Sequence, residues 1–144
     1  MNLEVSIIVP DRIFYREQVR EVILPTLTGQ MGVLKGHIPI LTGLDIGVLL
    51  LRLKNSDSWI PFVVTGGFAL VSNNSITILV NEAELGSSID FEEAEQNLRV
   101  AQLALLNSVD KKKEMELLSL YKRAYARVFR LILHLSCYYL SICY

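Results

Sequence analysis

Near residue 90 the hydrophobic pattern of this chain changes its period, and no single regular structure can serve both sides of that change. Upstream, short runs rich in Val, Ile and Leu are separated by Gly, Pro, Asn and Ser, the punctuation of an all-β domain. Candidate strands are Leu3–Val9, Gln18–Leu24, Gly47–Leu53, Trp59–Thr65, Phe68–Ser72 and Ile76–Asn81, with shorter pieces in Thr26–Leu34 and Ile40–Leu44. Asn73-Asn74 between two of these runs predicts a tight hairpin turn, because Asn tolerates positive φ. Gly66-Gly67 predicts a bend or bulge where two backbones approach closely. So many short strands point away from βαβ units and toward a sandwich or flattened barrel.

Downstream the period becomes helical. Asp90 followed by Glu93 has the form of a capping box, and Ala94, Leu98, Ala101 and Leu105 then make one apolar stripe. The alanines in that stripe let a second helix lie close. Asn107-Ser108 interrupts the pattern and Asp110 is placed to cap the next helix. Leu117, Leu120 or Tyr121, Ala124, Val128 and Leu131 form its apolar face, with Lys122, Arg123, Arg127 and Arg130 elsewhere. The expected organisation is an all-β sandwich over residues 1–89, then an antiparallel α-helical hairpin over residues 90–144. The hairpin carries an apolar tail from about residue 131; its 14 residues fall short of the roughly 20 that a helix needs to cross a bilayer.

The chain has 144 residues, enough to bury a core without staples, and a net charge of −1 argues against nucleic acid as its main partner. Its two cysteines, Cys137 and Cys143, suggest a reducing compartment and make no redox pair. Met1–Val5 reads directly as a strand, with neither a signal peptide nor a transit stretch expected. Candidate chemistry is sparse. His37 and His134 have no ligand partners at metal-site spacing, and no nucleophile elbow, P-loop or dinucleotide motif occurs. Glu92, Glu93 and Glu95 read as a solvated first helical turn. The expectation is a protein that is not an enzyme, with no cofactor, no metal and no catalytic residue. Two features suit binding instead: the Gly-dense, apolar segment Gly29–Pro39, and Arg123 with Arg127 on one helical face.

Gly29-Gln30-x-Gly32-Val33-Leu34-x-x-His37-x-Pro39 resembles the first signature of the ATP synthase epsilon subunit family. Val64-x-Gly66-Gly67-Phe68-Ala69-x-Val71-x-x-Asn74-x-Ile76-Thr77-Ile78-Leu79 resembles the second. Pro10-Asp11-Arg12, Asp45-Ile46-Gly47 and the order of sandwich and hairpin agree, and the likeness covers about residues 1–130. The chloroplast and cyanobacterial branch is the most similar.

The resemblance implies a β-sandwich of about ten strands that serves as a non-catalytic rotor subunit of a proton-translocating ATP synthase, coupling c-ring rotation to ATP synthesis in the catalytic head. It implies contacts with the gamma subunit and the c-ring, assigned here to Gln30, Met31, Val33 and His37. The helices would extend toward the alpha and beta subunits and restrain ATP hydrolysis, with Arg123 and Arg127 as electrostatic contacts. The implied location is peripheral, on the stromal side of the chloroplast thylakoid membrane, the alternative being a cyanobacterial thylakoid or a bacterial inner membrane. Three positions depart from the family. Lys35 stands where Pro is usual, Glu93 stands where nucleotide-binding relatives carry an arginine, and Leu131–Tyr144 does not resemble the usual tail. ATP binding is therefore not expected. The alternatives are a stand-alone β-sandwich binding module with a helical appendage, or an enzyme whose site the sequence hides.

Overall fold

The alternation of Leu3, Val5, Ile7 and Val9 with partly exposed residues produces β1 (Leu3–Val9), one face of which is entirely buried. The computed structural model describes the backbone of residues 3–143 and the side chains of residues 3–128. Leu131, Arg130, His134, Cys137, Cys143 and the apolar tail, all read in the sequence, lie outside the residues whose side chains are described.

Eight further strands follow: β2 (Arg12–Thr26), β3 (Gly29–Leu34), β4 (Ile40–Leu44), β5 (Gly47–Leu53), β6 (Trp59–Val64), β7 (Gly67–Ser72), β8 (Ser75–Val80) and β9 (Ala83–Leu85). After a single 3-10 turn at Gly86–Ser88 come α1 (Phe91–Leu106) and α2 (Lys111–Cys143). Among the described residues there are nine strands, where the resemblance implies about ten, and the long β2 serves two layers. Its first half pairs with β1 and its second half with β3 and β5, and the register shifts between Val19 and Glu21. The polar half, Arg12–Glu17, has no apolar alternation to mark it; its pairing with β1 makes it a strand.

The layers enclose a core in which Phe62 is the largest fully buried side chain, with the Tyr15 ring 4.9 Å and the Phe14 ring 6.3 Å away. Strands β5 and β6 are buried on both faces, which is why they read as nearly unbroken apolar runs. Leu49, Leu51, Phe62 and Val64 point into the sandwich. Val48, Leu50 and Val63 point outward into a second apolar cluster with Ile89, Ala94 and Ala126.

Local signals are realised closely. Asn73 and Asn74 have φ of 48° and 61°, as the β7–β8 turn requires. A Cβ on Gly67, at φ 154°, would lie 1.9 Å from the Leu79 carbonyl oxygen, so the backbones meet there without room for a side chain. Asp90 caps α1 by accepting from the Glu92 amide at 3.1 Å, and Asp110 accepts from the Lys112 amide at 3.1 Å. Ala94 is buried and Leu98, Ala101 and Leu105 are half-buried, so the expected stripe faces inward. On α2 the inward residue is Tyr121 and not Leu120, which is exposed.

Candidate docking faces and the hairpin seam

The first signature does not form one loop. Its first half is β3, paired with β2 from Thr26↔Gly29 to Glu21↔Leu34, and only Lys35–Pro39 is irregular. Alternation along a paired strand sends every second side chain inward. Val33 is therefore 0% exposed in the sandwich core, and the expectation that it meets a partner is corrected. Met31, on the same face, is half-buried and packs on that core. Gln30 is exposed at the beginning of β3, whereas His37 is half-buried beyond its other end, so these two do not converge. The exposed apolar residues near His37 are Leu34 and Ile38. The Gly36 amide donates to the Asn74 side chain at 3.1 Å, which ties this loop to the β7–β8 turn.

That turn borders a face the sequence reading missed. Phe68, Leu70 and Leu79 project from β7 and β8 away from the core, and Leu41 and Ile13 join them from β4 and β2; all five are exposed. Register places Phe68 beside Leu79, Leu79 beside Ile8, and Ile8 beside Ile13, with Leu41 opposite Leu70. Together these residues make a contiguous exposed apolar row across antiparallel and parallel neighbours, the kind of surface that suits docking. The signal was present: β7 and β8 carry apolar residues on both faces, as β5 and β6 do.

On the other outer face the hairpin supplies the cover. The seam joins Val48, Leu50 and Val63 to Ala94, Ala126 and Val128, with Trp59 and Ile23 beside them. Both arginines singled out in the sequence sit at this seam. Arg123 pairs with Glu82, and Arg127 Nε lies 3.1 Å from Glu84 Oε2. Those two Arg127 and Glu84 atoms are buried and have no hydrogen bond of ordinary geometry among the described residues, so their contact is chiefly coulombic. Lys122 Nζ reaches Asp45 Oδ2 at 3.4 Å, and Asp45 is itself held by its backbone N–H to the Pro25 carbonyl at 2.8 Å. Between α2 and the sandwich lies an open cleft of about 260 Å³, lined by Pro25, Gln30, Asp45, Tyr121, Lys122 and Tyr125 among others.

Acid–base and metal features are few. Burial raises the Tyr15 phenol above its ordinary value, with Glu17 adding to the effect. Among the described residues no three His, Cys, Asp or Glu side chains gather as a metal site, and no helix is long and apolar enough to cross a membrane. Glu92 and Glu93 are exposed in the first turn of α1.

The fold is a β-sandwich with a C-terminal helical hairpin against one outer face and exposed apolar side chains on another. The family described as "ATP synthase, Delta/Epsilon chain, beta-sandwich domain" matches residues 2–86. The chloroplastic ATP synthase epsilon chain of Euglena gracilis is 56% identical over 127 residues, 88% of this chain and 94% of that one. That of Chlorella vulgaris is 50% identical over 127 residues, covering 88% and 93%. A chain in a cryo-EM structure of Euglena gracilis mitochondrial ATP synthase (OSCP/F1/c-ring in rotational state 1) superposes with TM-score 0.79 at 24% identity, covering 92% of this chain and 82% of that one, and shares its fold. The chain belongs to the ATP synthase delta/epsilon chain family.

Proposed function

We propose that the chain is a non-catalytic central-stalk subunit of a chloroplast proton-translocating ATP synthase, peripheral on the stromal side of the thylakoid membrane. In that role it transmits c-ring rotation toward the catalytic head, and its C-terminal hairpin restrains ATP hydrolysis. The observation that carries this reading is the 56% identity to a chloroplastic epsilon chain, which continues through most of the hairpin as well as the sandwich. Gamma would dock on the open apolar row around Phe68, Leu70 and Leu79, with His37 and Ile38 at its margin and Gln30 available to the c-ring. Arg123 and Arg127, four apart on α2, would engage a carboxylate-rich segment of the beta subunit when the hairpin extends.

The test is reconstitution of an epsilon-depleted enzyme. The full chain is expected to co-purify with gamma and restore coupled ATP synthesis. A chain truncated at Asp90 should restore synthesis while leaving hydrolysis unrestrained. If the truncated chain suppressed hydrolysis as fully as the intact one, restraint would belong to the sandwich.

A further inference from the structure

Two carboxylates and two guanidinium groups meet at the seam in matching order: Glu82 with Arg123, and Glu84 with Arg127. The match is geometric. Residues two apart on an extended segment rise about 6.6 Å, and residues four apart on a helix rise about 6 Å, so the two rows stay in step. Glu82 precedes and Glu84 lies within β9, which pairs with β6 through Val63↔Glu84. The carboxylates are thus mounted on the sandwich and the cations on the hairpin. A third pair, Lys122 with Asp45, repeats the same polarity.

The apolar part of this seam is small on the hairpin side. Among the described residues, the helical members of this cluster are Ala94 and Ala126, both buried, and half-buried Val128. Beyond them the hairpin stands free, with Leu103, Leu106, Met115 and Leu118 exposed. A contact with so little apolar area and three cross-domain ion pairs is one whose strength depends on charge.

We propose that Glu82 and Glu84 form an internal carboxylate latch, which holds the hairpin on the sandwich by occupying Arg123 and Arg127. The latch is competitive. Each guanidinium can serve the sandwich or an external carboxylate partner, and Glu82 and Glu84 set how readily it changes over. This rests on the reading of the hairpin as the restraining element, but the latch itself is measurable in the isolated chain.

The experiment is hydrogen exchange on the full-length chain, resolved by segment, for wild type, E82Q/E84Q and the charge-exchanged chain E82R/E84R/R123E/R127E. Amides of α1 and α2 in E82Q/E84Q should exchange roughly three- to tenfold faster, the range expected from losing two partly exposed pairs, while β1, β7 and β8 amides keep their protection. Raising salt should accelerate the hairpin amides of wild type markedly and those of E82Q/E84Q less, since only the Lys122–Asp45 pair remains there. The charge-exchanged chain should recover most of the wild-type protection. Hairpin exchange in E82Q/E84Q equal to wild type, or no recovery in the charge-exchanged chain, would overturn the latch. In reconstituted enzyme E82Q/E84Q should restrain hydrolysis more strongly than wild type, since its arginines are released. If hairpin exchange rises as stated and hydrolysis does not fall, the latch stands and the restraining role of the hairpin is what fails.

Discussion

Replacing Ala126 by Leu should separate the hairpin from the sandwich without unfolding the sandwich. Ala126 is 5% exposed and Ala94 is 0% exposed, so the helices approach β5 and β6 closely there. At roughly 0.8 kcal/mol per buried carbon, the two alanine methyls and half-buried Val128 contribute about 3 kcal/mol of gross attraction. Three added carbons at position 126 have no space to enter, and overpacking of this kind costs about 1–3 kcal/mol. The penalty is therefore comparable with the attraction that these three hairpin side chains supply, and the docking equilibrium should shift by about tenfold or more. The sandwich should be spared, because its own cluster around Phe62, Leu49 and Ile7 contains no hairpin residue. Trp59 is the single tryptophan of the chain and packs against the seam, so its emission reports docking directly. Ala126→Leu should shift that emission to longer wavelength and increase quenching by iodide, while the urea midpoint of the sandwich changes little. Wild-type emission and quenching in this variant would refute the argument that close approach at the two alanines holds the seam.

Gly67→Ala should destabilise the sandwich by about 3 kcal/mol or more, through a strained φ and a Cβ driven against the Leu79 carbonyl. Gly32→Ala, with nothing within 4 Å of the added Cβ, should change the urea midpoint little, and equal midpoints for the two variants would contradict this reading. Phe68→Asp with Leu79→Asp should leave the isolated chain folded, because both residues are exposed, yet weaken its binding to gamma at least tenfold in a pull-down titration. Val33→Asp should instead lower folding stability by several kcal/mol, since an unpaired carboxylate would enter the core; a folded Val33→Asp chain that merely fails to assemble would show the opposite.

Much of the fold was legible because local rules and burial agree. The Asn73-Asn74 turn, the tight approach at Gly67 and the caps at Asp90 and Asp110 each follow from one residue type at one position. What escaped was structure that only pairing creates. Arg12–Glu17 is a strand because β1 lies beside it, and Ala83–Leu85 is one because β6 does. The exposed apolar row escaped for a different reason. A Gly-rich apolar segment looks like a docking loop when its register is unknown, yet pairing with β2 sends Val33 into the core. The exposed apolar row lies mainly in β7 and β8, which carry apolar residues on both faces.

The hairpin arginines show where sequence reasoning stops in principle. Their spacing was readable and correctly placed both on one helical face, pointing at one partner surface. Spacing says how far apart the opposing carboxylates must be, about 6 Å, but not which chain provides them. Glu82-x-Glu84 satisfies that distance only because the segment is extended, and extension here comes from pairing with β6. A carboxylate pair on a helix of another subunit could satisfy it equally well. Under the proposed latch, the arginine pair would be complementary to two surfaces by one geometric rule. A switch needs that degeneracy: were the hairpin cations unable to fit the sandwich, charge would favour a single position and leave nothing to regulate.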